Sequence, residues 1–308
     1  MTDTYTSEDQ DGAPLPGGLT PVEDHGILVK REDLHRMPNG VNGAKLRACQ
    51  YLVGKAAVEQ EATWVVSAAS LLSPQNPMAA TVAADLGLNC TIIVGGTKPE
   101  SAVKYLTTQL ALEAGAIMEI TKVGYNPALK ATARSLTQDL AGIGEAPYWL
   151  NYGITPGPDA DEQEIREFHL TSAAQVRNIP DNVTKIHIPW GSANTGVGVL
   201  WGLDEINFDG EIELYEIGPS RMEWAQERLT LLGSSSILGG CTVHQLHPGF
   251  ATYGDKMKNN IDGIELHSTY EGKIATYLDL IDDAWRHEEN SLFWIVGGPL
   301  PKRRGAWS

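Results

Sequence analysis

Cysteine and positive charge are both scarce in this chain. Its 308 residues hold three cysteines, and 23 lysines and arginines stand against 39 aspartates and glutamates, a net charge of −16. Cys49, Cys90 and Cys241 sit in apolar patterns without metal-ligand spacing, which reads as reduced core thiols and excludes a disulfide framework. The eight histidines show no ligand spacing either. His244 and His247 read as strand and turn residues, and no metal is expected. The acidic balance argues against nucleic acid as the main partner. No apolar run approaches membrane-spanning length, and the polar first residues lack the apolar centre of a signal peptide, so a soluble, cytoplasmic chain with no membrane partner is expected. A G-x-G-x-x-G following an early strand is also missing, which disfavours a nicotinamide oxidoreductase.

What is present is a regular alternation of short apolar runs and helical patterns. Residues 1–18 are polar and rich in Gly and Pro and read as a mobile arm. Strands are predicted near Trp64–Val66, Cys90–Val94, Ala116–Ile120 and Pro147–Leu150, then over Thr184–Trp190, Glu211–Ile217 and Leu292–Val296. Helical spacing runs through Leu46, Cys49, Leu52 and Ala56, and recurs after each strand. The last such pattern is Ile274, Tyr277, Ile281 and Trp285. Apolar strands alternating with helices mean parallel sheet covered on both faces, hence an α/β fold. The natural place for a site is the crevice at the carboxyl ends of the strands.

Three stretches carry candidate chemistry. In Asn42-Gly43-Ala44-Lys45, Asn42 is a candidate helix cap, and Lys45, just inside the helix start, is placed to project an amine into a cleft. Such an amine is nucleophilic only when its pKa is lowered. Gly191-Ser192-Ala193-Asn194-Thr195-Gly196-Val197-Gly198 joins a strand to a helix through small residues, an arrangement that turns backbone N–H groups toward a phosphate. Tyr270-Glu271-Gly272-Lys273 places a phenol and a carboxylate at a helix start.

Taken together, these stretches resemble the fold-type II pyridoxal-phosphate (PLP) enzymes, nearest to 1-aminocyclopropane-1-carboxylate deaminase and D-cysteine desulfhydrase. Lys30-Arg31-Glu32-Asp33 matches that group's early KRED segment. Lys45, Arg47, Tyr51 and Leu52 match its K-x-R-x-x-x-Y-L, and Tyr270 to Lys273 match the deaminase's YEGK. The resemblance runs from about Thr20 to Gly298. It implies two open twisted sheets with helices on both faces, as in the tryptophan synthase β-like fold. Residues 19–49 and 151–308 would form the large PLP-binding domain, and 50–150 the small α/β domain.

The same resemblance implies site residues. Lys45 would form the Schiff base with PLP, and Gly191, Ser192, Ala193, Asn194, Thr195 and Gly196 would hold its phosphate. Glu271 would face the pyridine nitrogen. Tyr270, Tyr253 and Ser73 would handle protons near the substrate. The family's asparagine after that serine, which contacts the ring hydroxyl, is Pro74 here. Gln75 and Asn76 are its candidate substitutes. The segment between Tyr253 and Tyr270 is also shorter than in the deaminase. The expected function is a PLP-dependent deaminase or lyase acting at the α-carbon of an amino acid or an amino-acid-bearing substrate, in a homodimer. The alternative is a non-catalytic module that keeps the fold to bind a ligand or partner.

Overall fold

The structure is a computed structural model and describes residues 16–252, 254–282 and 284–301. The chain opens with an antiparallel pair, β1 (Val22–Asp24) and β2 (Leu28–Arg31), and enters helix α1 (Ala44–Glu59). An alternating series follows: β3 (Trp64–Ala68), α2 (Gln75–Asp85), β4 (Asn89–Gly95), the short α3 (Pro99–Ala102), α4 (Leu106–Glu113), β5 (Ile117–Thr121), α5 (Asn126–Gly142) and β6 (Pro147–Leu150). The second half runs α6 (Glu162–Ala173), β7 (Lys185–Trp190), α7 (Asn194–Glu205), β8 (Glu211–Glu216), α8 (Met222–Leu232) and β9 (Thr242–Gln245). It ends with the small pair β10 (Asn260–Ile261) and β11 (Ile264–Glu265), then α9 (Glu271–Ile281) and β12 (Ser291–Ile295).

Two open sheets result. The smaller has the order β5-β4-β3-β6 and is parallel throughout. The larger has the order β1-β2-β12-β7-β8-β9 and is parallel except for β1. Both are covered on two faces, which is why their strands read as continuous apolar runs. Along β12, Leu292 and Trp294 pack with Ile186 and Leu214 against α7 and α8, while Phe293 and Ile295 join Val29, Tyr215 and Ile274 on the other face. In the smaller sheet, Val65 and Ile92 face the core shared with α1 and α2, while Val66 and Ile93 face α5.

The KRED segment is not a solvated charge run. Lys30, Glu32 and Arg47 are each fully buried. Arg47 pairs with Glu32 at 2.9 Å, donates to the carbonyl of Gly18 at 2.9 Å, and also bonds the carbonyl of Pro16. Lys30 donates to the Thr20 carbonyl (2.8 Å) and to Asn178 Oδ1 (2.6 Å). Gln175 Nε2 donates to the Gly18 carbonyl. The last residues of the expected arm, Pro16 to Gly18, are therefore held by buried donors, and residues 1–15 lie outside the described residues.

Local differences from the sequence reading have simple causes. Helix α9 stops at Ile281, and Trp285 belongs to a separate 3-10 turn, where its indole N–H reaches Asp279 Oδ1 at 2.8 Å. No described helix is long and apolar enough to cross a membrane.

Candidate active site

Helix α1 begins at Ala44 without a side-chain cap. Asn42 does not serve as one. Its Oδ1 accepts from Gly298 N (2.7 Å) and its Nδ2 donates to the Gly40 carbonyl (3.0 Å). The helix start is instead held by backbone: Ala44 N donates to Val296 O and Gly43 N to His35 O. Gly43 has φ +100°, and a Cβ there would lie 2.7 Å from Val296 O, so only glycine allows this approach. The consequence is that Lys45 emerges beside the end of β12. It lines a cavity of about 130 Å³ together with Gly191, Thr195, His267, Tyr270 and Gly297. Its Nζ makes no hydrogen bond or ion pair with a described residue. Burial holds its pKa below the usual lysine value, which favours the free amine.

The turn after β7 supplies the facing wall. Gly191, Ser192, Ala193, Thr195 and Gly196 all line the cavity, whereas Asn194 is buried behind it. Ala193 adopts a left-handed conformation at φ 63° and starts α7 with no side-chain cap. The first-turn N–H groups of a helix have no acceptors within the helix, so this end is electropositive. Two of the loop's glycines answer to packing as well. A Cβ on Gly196 would meet the Trp190 ring at 2.4 Å, and one on Gly198 would meet the His169 carbonyl at 2.7 Å.

Each residue of Tyr270-Glu271-Gly272-Lys273 has a distinct task. Tyr270 lines the cavity. Glu271 opens α9 fully buried; Oε1 accepts from Val296 N at 2.8 Å, while Oε2 has no partner among the described residues. Burial pushes its pKa up to about 8, against the opposing pull of the backbone N–H groups of Glu271, Val296 and Gly297. A Cβ on Gly272 would lie 2.1 Å from the Met257 carbonyl. Lys273 is buried and donates to the Thr252 carbonyl at 2.6 Å.

The one titratable cavity residue that escaped sequence reasoning is His267. His267 Nδ1 accepts from Thr269 N at 3.3 Å, its ring lies 4.8 Å from that of Tyr270, and it lines the cavity. Burial, with Lys256 and Lys45 nearby, holds its pKa down to about 4, so the ring is neutral. A lone histidine without ligand spacing offers no signal in sequence.

The loop after β3 contributes differently from expectation. Leu72, Pro74 and Met78 line the cavity, while Ser73, Gln75 and Asn76 do not. Ser73 Oγ accepts from Gln75 N as a turn former. Gln75 is consumed as a brace: Nε2 donates to Ser67 Oγ and the Asn151 carbonyl, and Oε1 accepts from Gly153 N. Asn76 Nδ2 donates to the Ser70 carbonyl. The amide expected to replace the family's asparagine therefore does not reach the cavity from either position. Tyr253 lies outside the described residues.

No family model matches the chain. An O-seryl-dTMP PLP-dependent decarboxylase from Salmonella phage ViI is 27% identical over 340 aligned positions, covering 90% of this chain and 79% of that protein. A D-cysteine desulfhydrase of Salmonella typhi is 25% identical over 316 positions, covering 94% and 93%. The crystal structure of an ACC deaminase homologue superposes with a TM-score of 0.70 at 20% identity, over 94% of this chain and 92% of that one. A threonine deaminase isoform from Solanum lycopersicum gives 0.57 at 15% identity, over 91% and 84%. With two open sheets, a cavity at their strand ends and this distant sequence similarity, the chain has the fold-type II architecture of the PLP-dependent enzymes.

Proposed function

We propose that this chain is a PLP-dependent enzyme that breaks a bond at the α-carbon of an amino acid or of an amino acid carried on a nucleotide. The supporting observation is a convergence around one cavity, lined by Lys45 and the Gly191 turn, with Glu271 buried behind the lining residue Val296. The partner-free amine of Lys45 meets the uncapped start of α7, and the unpaired Oε2 of Glu271 lies behind the strand end that borders it. An aldehyde, a phosphate and a ring nitrogen are the three groups this set would hold.

When bound, PLP supplies the electron sink that accepts the pair left on the α-carbon. The chain does the rest. Lys45, kept unprotonated by burial, is the nucleophile and then a proton carrier at Nζ. Small residues from Gly191 to Gly196 let backbone N–H groups approach the phosphate. Glu271, protonated at neutral pH, holds the proton that a ring nitrogen would share. Tyr270 and neutral His267 stand on the substrate side as proton donors or acceptors.

The relatives differ in reaction, decarboxylation in the phage protein and desulfhydration in the bacterial one. Bond cleavage at the α-carbon begins both. The phage relative's name points to a nucleotide-borne substrate, and the outer wall of Leu72, Pro74, Met78 and Leu300 is apolar, with Pro74 standing where the deaminase resemblance leads one to expect an asparagine. The reading includes a cytoplasmic homodimer, as in the resembled family.

Purified protein given PLP should develop a visible absorption band that Lys45→Ala abolishes. A wild type that stays colourless overturns the proposal. Keto-acid and carbon dioxide release from D- and L-amino acids, aminocyclopropane carboxylate and seryl nucleotides then separates the routes.

A further inference from the structure

Six of the exposed large hydrophobic residues lie on one edge of the molecule. They are Leu72, Val103, Tyr105, Val123, Tyr125 and Tyr152, with Leu72 64% and Tyr125 61% exposed. All follow strands of the smaller parallel sheet at their carboxyl ends. The loops form one ridge. A Cβ on Gly95 would lie 2.3 Å from Val123 O, Thr107 Oγ1 donates to Leu71 O at 2.6 Å, and Gly153 N donates to Gln75 Oε1 at 2.8 Å. The ridge continues into the cavity through Leu72 and Pro74.

The same ridge is basic in an acidic protein. Lys98, Lys104 and Lys122 are exposed on it, and Lys130 lies with its Nζ 5.8 Å from the Tyr152 ring centroid. None of the four forms an ion pair with a described residue, in contrast to Lys55 and Lys185 elsewhere. Glu100 is the one acidic residue in 70–75, 95–105 and 121–126, and the connection after β6 carries Asp159 and Asp161 beyond Tyr152. A net charge of −16 averages over the whole surface and hides this patch. Solvated aromatics between unpaired lysines match what a single-stranded polynucleotide offers, since bases stack on rings and phosphates pair with cations.

We infer that the carboxyl edge of the smaller sheet is a single-strand nucleic-acid track that feeds the Lys45 cavity, so that the amino acid attacked there is borne on a nucleotide within a strand. This deepens the proposed function and rests on it for the chemistry, though not for the binding surface.

The test uses full-length protein and a fluorescein-labelled oligodeoxythymidylate of about 16 nucleotides, the upper site size for one such channel. Anisotropy should show binding that weakens with salt. The triple variant Lys98→Glu, Lys104→Glu, Lys122→Glu should lose about tenfold or more in affinity, and its log–log salt slope should shrink by about 2. Tyr105→Ala and Tyr125→Ala should each lose about fivefold, and they carry the test if the triple variant does not fold. Absence of binding by wild type, variants that bind as wild type does, or a duplex of equal length that binds as well as the single strand would each overturn the inference. The PLP band should survive in the triple variant. A wild type without that band but with lysine-dependent strand binding would sink the proposed chemistry and leave this surface standing.

Discussion

The two walls of the cavity are built on different principles. The wall carrying Lys45, Gly191 and Gly297 comes from the larger sheet and is held by backbone hydrogen bonds and buried charges. The wall carrying Leu72, Pro74 and Met78 comes from the smaller sheet's side and is apolar. Backbone contacts and buried ions tolerate little substitution, whereas an apolar rim can be recut at small cost to the fold. The difference teaches that a fold can keep one reacting group in place while the surface it faces is changed for another substrate.

The largest effect should come from behind the first wall. Arg47→Ala leaves Glu32 buried with its charge uncompensated, and chemical denaturation should show a loss of about 3–5 kcal/mol. Replacing Glu32 and Arg47 together with apolar residues should recover much of it. If the single variant is as stable as wild type, the rigid-wall half of the comparison fails.

Glu271→Gln should act next, and with a pH signature. Glu271 is neutral in the folded protein up to about pH 8 but ionises near its ordinary value of 4.5 when unfolded. Between those values folding takes up a proton, so this group lowers stability as pH rises through that window and no further above it. The cofactor-free variant should therefore exceed wild type by about 3 kcal/mol at pH 7 and match it near pH 4. Urea melts at the two pH values measure this; an equal difference at both would show that the carboxyl is not buried in neutral form.

The smallest effect belongs to the second wall. Leu72→Ala, at a residue 64% exposed, should change stability by under about 0.5 kcal/mol and leave the PLP band intact. It should shift the relative rates of large and small substrates in competition assays. A destabilisation equal to that of Arg47→Ala would erase the contrast between the walls.

Much of this was legible because the sheets are buried on both faces. Strands such as β4 and β7 announce themselves as apolar runs, and helical spacing brackets α1, α5 and α8. Lys45 and the Gly191 turn were legible through their ordered company in sequence. What stayed hidden depended on distant partners. Strand β2 carries Lys30, whose burial is offset by acceptors at Thr20 and Asn178 and by the Trp294 ring and the Glu32 carboxylate. Asn42 looked like a cap because its real partner, Gly298, lies at the other end of the chain. Gly198 has its reason in helix α6 rather than in a phosphate alone, and His267 acquires its place only when α9 is docked.

Val296 offers its carbonyl to the N–H of Ala44 and its own N–H to Glu271. One residue thus acts as the fixed bar of a caliper whose jaws are an amine and a carboxyl. Drift of that strand tip carries both jaws together, so the gauge between them is preserved.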